Sequence, residues 1–288
     1  MQAVRGRSEK ITFREGEVAM KKMLQVVLLL ATAFLVMLVP PLLAGDFPGR
    51  AKYPTVKPIS TEELFKDYQA GNVVIVDVRS KIEYDVIHPK GASHIPVADI
   101  LFVKSVQDLV AKNPGKKIVF YCNGISCYKS YEAAKKAQNA GVTNSYAYDA
   151  GIPEWVKTHP RETLRLGKVV VDAKKQIISE SDFQKRTLPF EKFKDQASAA
   201  NALVIDVRDN VQRTGNLPGL EKALAIPLDK FIPNFVNKKA NQDKKLLIFD
   251  QVGKQVQWLE YYLVENGYKN YVFLAGGATD VLKKQEYK

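Results

Sequence analysis

The chain has 288 residues, 46% of them hydrophobic, and its 43 Lys plus Arg against 31 Asp plus Glu give a net charge of +12. Length and apolar content suit two buried cores and exclude intrinsic disorder. The basic residues form no Arg-rich cluster or aromatic-interleaved stripe, so the surface is expected to favour small anions rather than nucleic acid.

Residues 1–44 read as an N-terminal extension with a signal peptide or membrane anchor. Met20-Lys21-Lys22 precedes an apolar run over residues 24–43, with Pro40-Pro41 near its end and Ala44-Gly45 after it. A charged start, an apolar middle and a small residue at the end make an export signal. The run is also long enough to span a bilayer, and Leu42 is not the small residue that cleavage prefers, so an uncleaved anchor stays open. Both readings place the body of the protein in the periplasm or otherwise outside the cytoplasmic membrane. No Cys near the cleavage point supports a lipoprotein, and the polar stretch before Met20 leaves Met1 and Met20 as alternative starts.

After a linker over residues 45–57, the chain repeats itself at a spacing of about 128 residues. Val73-Val74-Ile75-Val76-Asp77-Val78-Arg79 returns as Leu203-Val204-Ile205-Asp206-Val207-Arg208. Lys117-Ile118-Val119-Phe120-Tyr121-Cys122 returns as Lys245-Leu246-Leu247-Ile248-Phe249-Asp250, and the segments ending at Gly151 and Gly277 also match. The apolar runs are unbroken, as in strands buried on both faces of a parallel sheet. Amphipathic stretches separate them. Ser60-Thr61-Glu62-Glu63 predicts a capping box opening a helix toward Gly71, and Tyr128–Ala140 predicts another helix with Tyr131, Ala134 and Ala137 on one face. The predicted fold is α/β: two domains, residues 58–159 and 180–288, each a doubly wound, mainly parallel sheet flanked by helices. A connector over 160–179 holds a short predicted strand at Val169-Val170-Val171.

Cys122 and Cys127 are the chain's two cysteines, five positions apart. A bridge between them would close too short a loop to stabilise the fold much, which points to chemistry instead. A buried strand ends at Cys122, and Asn123, Gly124, Ile125, Ser126 and Cys127 then lead into a helix. Amides of such a loop, with the helix N-terminus, favour an anion and are expected to lower the Cys122 pKa and cradle a persulfide. A buried, inert Cys at a strand end is the plain alternative.

The order Asp77-x-Arg79, Glu83-Tyr84 with His88, Gly91-Ala92-x-x-Ile95-Pro96, Tyr121-Cys122-x-Gly124 and Gly151-Ile152-Pro153-x-Trp155 resembles the rhodanese homology domain. The resemblance covers nearly everything after residue 58 and implies sulfurtransfer. Cys122 takes a sulfane sulfur from a donor such as thiosulfate or a polysulfide, holds it as a persulfide and passes it to a thiophilic acceptor. It implies no cofactor and no metal; His88 and His94 lack a third ligand at workable spacing. Cys127 stands where the family commonly has a basic or hydroxyl residue. The loop has no Arg, which argues against the phosphatase relatives and leaves Lys129 as a substitute for binding a sulfonate. Asp77 and Arg79 read first as a structural ion pair and second as supporting residues, since Asp206 and Arg208 repeat them beside Asp250, which cannot carry sulfur. The second domain is therefore expected to be silent and to shape the cleft over Cys122. Partners are then a small sulfur-containing anion and a thiol acceptor, with membrane contact only through the N-terminal anchor. Alternative functions are a non-enzymatic sulfur carrier or anion-binding module, and a thiol redox protein using Cys122 and Cys127. Cys127 itself reads either as a packing residue at the helix start or as a thiol that attacks the Cys122 persulfide and leaves a disulfide.

Overall fold

The computed structural model describes residues 47–286, so the leader, its cleavage or anchoring, and the choice of start lie outside the described residues. No helix among the described residues is long and apolar enough to cross a membrane.

The first half runs β1 (Lys57–Pro58), α1 (Thr61–Gln69), β2 (Val73–Asp77), α2 (Lys81–Val86), β3 (Ile87–Pro89) and β4 (Ser93–His94). It continues through α3 (Phe102–Lys112), β5 (Lys117–Tyr121), α4 (Lys129–Asn139), β6 (Ser145–Tyr148) and α5 (Gly151–Thr158). After β7 (Thr163–Arg165) and β8 (Lys168–Val169) the pattern returns as β9 (Thr187–Leu188), α6 (Phe190–Ala197), β10 (Ala202–Asp206) and β11 (Leu224–Ala225). It ends with β12 (Lys245–Phe249), α7 (Gln255–Glu265), β13 (Tyr271–Leu274) and α8 (Gly277–Glu286). One sheet has the order β1-β6-β5-β2-β4 and the other β9-β13-β12-β10-β11, and every pairing in both is parallel. Position for position the two orders are the same. This is the α/β architecture of parallel sheets flanked by helices that the unbroken apolar runs predict.

The pleat explains why those runs do not alternate. Along β5, Ile118 and Phe120 enter a core layer with Phe102, Tyr131 and Ala134, while Val119 and Tyr121 enter a second layer with Leu64, Val86, Ile152 and Trp155. Both faces are covered, so every position must be apolar. Burial of a side chain such as Phe120 contributes roughly 1.5–3 kcal/mol. Continuing the alternation past Tyr121 aims Cys122 toward the α4 layer, where it is packed.

Two local expectations are corrected. Ser60 does cap α1, accepting from the Glu63 amide at 3.1 Å, but the Glu63 carboxylate turns away to the Lys117 ammonium at 2.7 Å, so the box is half made. A reciprocal box closes α2 instead: Ser80 donates from its amide to the Glu83 carboxylate at 2.9 Å and from its hydroxyl as well. In the connector the strand is Lys168–Val169, and Val170 is buried with its amide bound to the Thr163 carbonyl.

The connector is woven into the fold. β7 pairs antiparallel with both β3 and β8. Arg165 and Lys168 both pair with Glu265 of α7, and the Tyr261 hydroxyl accepts the Ile178 amide. Trp258 and Tyr261 of α7 belong to the same apolar cluster as Ile152 and Trp155.

Candidate active site

β2 and β5 lie side by side in register, Asp77 opposite Tyr121, so their carboxyl ends deliver Asp77, Arg79 and Cys122 to one edge. Asp77 and Arg79 are fully buried as an ion pair with a 2.6 Å contact. Arg79 Nη2 also donates to the Ile87 carbonyl, and Nη1 donates to Asn123 Oδ1 at 3.0 Å, which is the pair's link to the loop. Asn123 in turn donates to Glu83. Burial pushes the Glu83 carboxyl up, but the bonds from Ser80 and Asn123 and the charge of Arg79 outweigh it and the net shift is downward. Asn123 is thereby held between an arginine and a carboxylate. Its side chain fixes the loop rather than facing an incoming anion.

Cys122 has no exposed surface. Its thiol donates to the Cys127 carbonyl at 3.1 Å and lies 3.7 Å from the Ser130 hydroxyl. Cys127 is half-buried, and Asn123, Ile125, Ser126 and Lys129 are exposed. The Cys122 pKa is raised, first by its hydrogen bond to the Cys127 thiol and then by burial. That same bond, against burial and helped by the amides of Asn123 and Lys129 and the Lys129 charge, holds Cys127 down at about 6. The expectation of a lowered Cys122 pKa is thus corrected. The Lys129 charge favours an anion on the neighbouring sulfur, while the Cys122 thiol faces the Cys127 carbonyl and the Ser130 hydroxyl. A thiol and a thiolate in contact share one negative charge.

The second half shows the loop closed on an anion. The Asp250 carboxylate accepts from the amides of Gly253, Gln255 (2.6 Å) and Val256 (3.3 Å), although burial still raises its pKa. Its arginine is not coupled to the loop: Arg208 Nη1 and Gln251 Oε1 are both buried without a partner, whereas Arg79 and Asn123 meet. The two halves otherwise seat their loops alike. Gly151 and Gly277 both have φ +64°. A Cβ on Gly151 would lie 2.4 Å from the Gly124 nitrogen and 2.5 Å from the Cys122 oxygen; on Gly277 it would lie 2.6 Å from the Gly253 nitrogen. The Ile152 amide donates to the Cys122 carbonyl at 3.0 Å, and Ala278 does the same to Asp250 at 2.9 Å.

Residues 60–158, the stretch holding all these first-half groups, match the family model of the rhodanese-like domain. This segment is a rhodanese-like domain. The chain is similar to an HTH-type transcriptional regulator of Mycobacterium tuberculosis, 36% identical over 98 residues, 34% of this chain and 40% of that protein. It is also similar to the thiosulfate:glutathione sulfurtransferase of Saccharomyces cerevisiae, 29% identical over 93 residues, 30% of this chain and 66% of that one. Among solved structures, the thiosulfate sulfurtransferase of Pseudomonas aeruginosa matches at 18% identity, covering 81% of this chain and 45% of its own, with a TM-score of 0.34. The chain spans 27% to 66% of the length of the curated relatives it matches.

Over the edge of the rhodanese-like domain opens a cleft of about 730 Å³, lined by Glu83, Asn123, Ser126, Cys127 and Lys129 on one side and by Lys254, Gln257 and Trp258 on the other. The Trp258 ring sits 5.5 Å from the Arg79 guanidinium, a cation–π contact made across the halves. Two groups here carry no signal that the sequence alone exposed: Ser130 is a polar residue at a buried helix position, and Trp258 is one of several apolar residues on a helix far away in the chain. His88 and His94 stack on either side of Tyr84 and bond to the carbonyls of Tyr84 and Arg79, so backbone contacts and packing account for both. Trp155 is wholly buried in the core.

Proposed function

We propose that this chain is an exported sulfurtransferase that moves sulfane sulfur from a donor such as thiosulfate or a polysulfide to a thiophilic acceptor through a Cys122 persulfide. The observation that carries this reading is Cys122 itself: a buried thiol at the carboxyl end of a central strand, bonded to the Cys127 carbonyl, beneath a cleft in a rhodanese-like domain. Thiosulfate reacts with the Cys122 thiol to leave sulfite and a persulfide that keeps the thiol's proton. An acceptor then takes the outer sulfur and restores the thiol. Lys129 and Lys254 on the cleft wall attract the anionic donor. Residues 180–288 form a second, silent domain of the same kind, because Asp250 is a tethered anion that already occupies its own loop. Export rests on the charged, apolar and small residues between Met20 and Gly45.

The test is thiosulfate-to-cyanide turnover together with the intact mass after sulfur loading. The parent gains the mass of one sulfur atom and turns over. Cys122→Ser folds, as judged by its melting temperature, and has lost turnover. Equal turnover in Cys122→Ser and parent would remove Cys122 from the chemistry.

A further inference from the structure

The two sulfurs of the loop face different surroundings. Cys122 is sealed under the loop with no exposed surface, whereas Cys127, five residues on, forms part of the cleft wall beside Lys129 and opposite Trp258. Cys122 therefore suits a slender reactant that can thread its terminal sulfur past the loop. A bulky thiol, with substituents around its sulfur, meets Cys127 first. Lys129 lines the same wall, so its positive charge favours a negative sulfur on the cleft-facing cysteine.

We propose that Cys127 is a second sulfur carrier, which receives the sulfane sulfur from Cys122 and hands it to a thiol acceptor docked in the cleft. This rests on the Cys122 persulfide proposed above and adds the exit route and the acceptor class. The transfer balances without an outside oxidant or reductant. The Cys127 thiolate attacks the outer sulfur of the protonated Cys122 persulfide; the Cys127–sulfur bond forms, the Cys122–sulfur bond breaks, and Cys122 is left as the thiolate. The proton stays on the sulfur that moves. An acceptor thiol then takes that sulfur from Cys127, becoming a persulfide itself, and its own proton returns to Cys122. The starting thiol and thiolate are restored. Attack on the inner sulfur would instead expel sulfide and leave a Cys122–Cys127 disulfide that needs a reductant, and the relay requires attack on the outer atom.

The experiment loads the full chain with thiosulfate and measures transfer to two acceptors, cyanide, which is small and linear, and reduced glutathione, which is bulky. In Cys127→Ser the ratio of glutathione-directed to cyanide-directed rate should fall at least tenfold, and fragment masses of the loaded parent should place sulfur on both Cys122 and Cys127. Cys127→Ala guards against an effect of the introduced hydroxyl, and melting curves establish folding. An unchanged ratio in both variants overturns the relay and leaves the Cys122 persulfide standing. So does a Cys122–Cys127 disulfide with one sulfide released per chain on loading. Cys122→Ser separates the two proposals: loss of both rates supports the persulfide, and retention of both removes the persulfide and the relay together.

Discussion

Gly151 is the most exacting position in the first half. A methyl group there would stand 2.4 Å from the Gly124 nitrogen and 2.5 Å from the Cys122 oxygen, both backbone atoms that no rotamer change can clear. The residue also has φ +64°, a left-handed conformation that costs an L-residue roughly 1–2 kcal/mol. Overpacking adds about 1–3 kcal/mol, here toward the upper end because the blocking atoms belong to the main chain. Gly151→Ala should therefore destabilise the protein by about 3–5 kcal/mol, a fall of about 10 °C in melting temperature for a chain of this size. Because the shift falls on the Cys122 loop, sulfur transfer per folded molecule should fall as well. Gly277→Ala is the internal control. It meets the Gly253 and Val252 nitrogens at 2.6 Å with the same φ, so its melting temperature should drop by a similar amount. Its transfer rate should stay close to the parent's, since that loop holds Asp250. Calorimetry and a thiosulfate-to-cyanide assay read both quantities. A Gly151→Ala protein that melts and turns over like the parent would refute the close approach, and equal activity losses in the two variants would refute the assignment of a silent second half.

Asp250→Ala orphans three amide donors while relieving a buried charge. It should cost about 1–3 kcal/mol of stability with turnover per folded molecule unchanged, measured by denaturant titration beside the activity assay. A specific loss of turnover with normal stability would give the second loop a catalytic part. Cys127, held down at about 6, is a thiol below that pH and a thiolate above it. Its labelling by iodoacetamide should thus climb through about pH 6 and level off by neutrality, followed by peptide mass at Cys127. A climb centred near the ordinary thiol value of about 8.5 would show that Cys122 and Lys129 do not stabilise its anion.

Much of the fold was legible because the physics that shapes it is local and periodic. Ile118 to Tyr121 must be apolar without alternation when both faces of β5 are covered, and the same run at Leu246 to Phe249 announces the same strand in a second sheet. The place of Cys122 follows from the end of that run. What the sequence hides is which way polar groups turn. Nothing in Ser60-x-x-Glu63 says that Lys117, across the sheet, will claim the carboxylate and leave the capping box to Ser80 and Glu83. The loop was read as lowering the pKa of the first cysteine, whereas the downward shift falls on Cys127, and the sequence does not show that Arg79 and Glu83 hold the Asn123 side chain. Trp258 reaches the site only because α7 packs across from the other half, a contact between residues far apart in the chain.

The weaving of the connector into both halves has a consequence for traffic through the cleft. With β7 paired to β3, Glu265 gripping Arg165 and Lys168, and Tyr261 holding Ile178, the two walls of the cleft share one core. If the chain transfers sulfur as proposed, a macromolecular acceptor would have to present its thiol on a projecting tip that enters between these two tied walls.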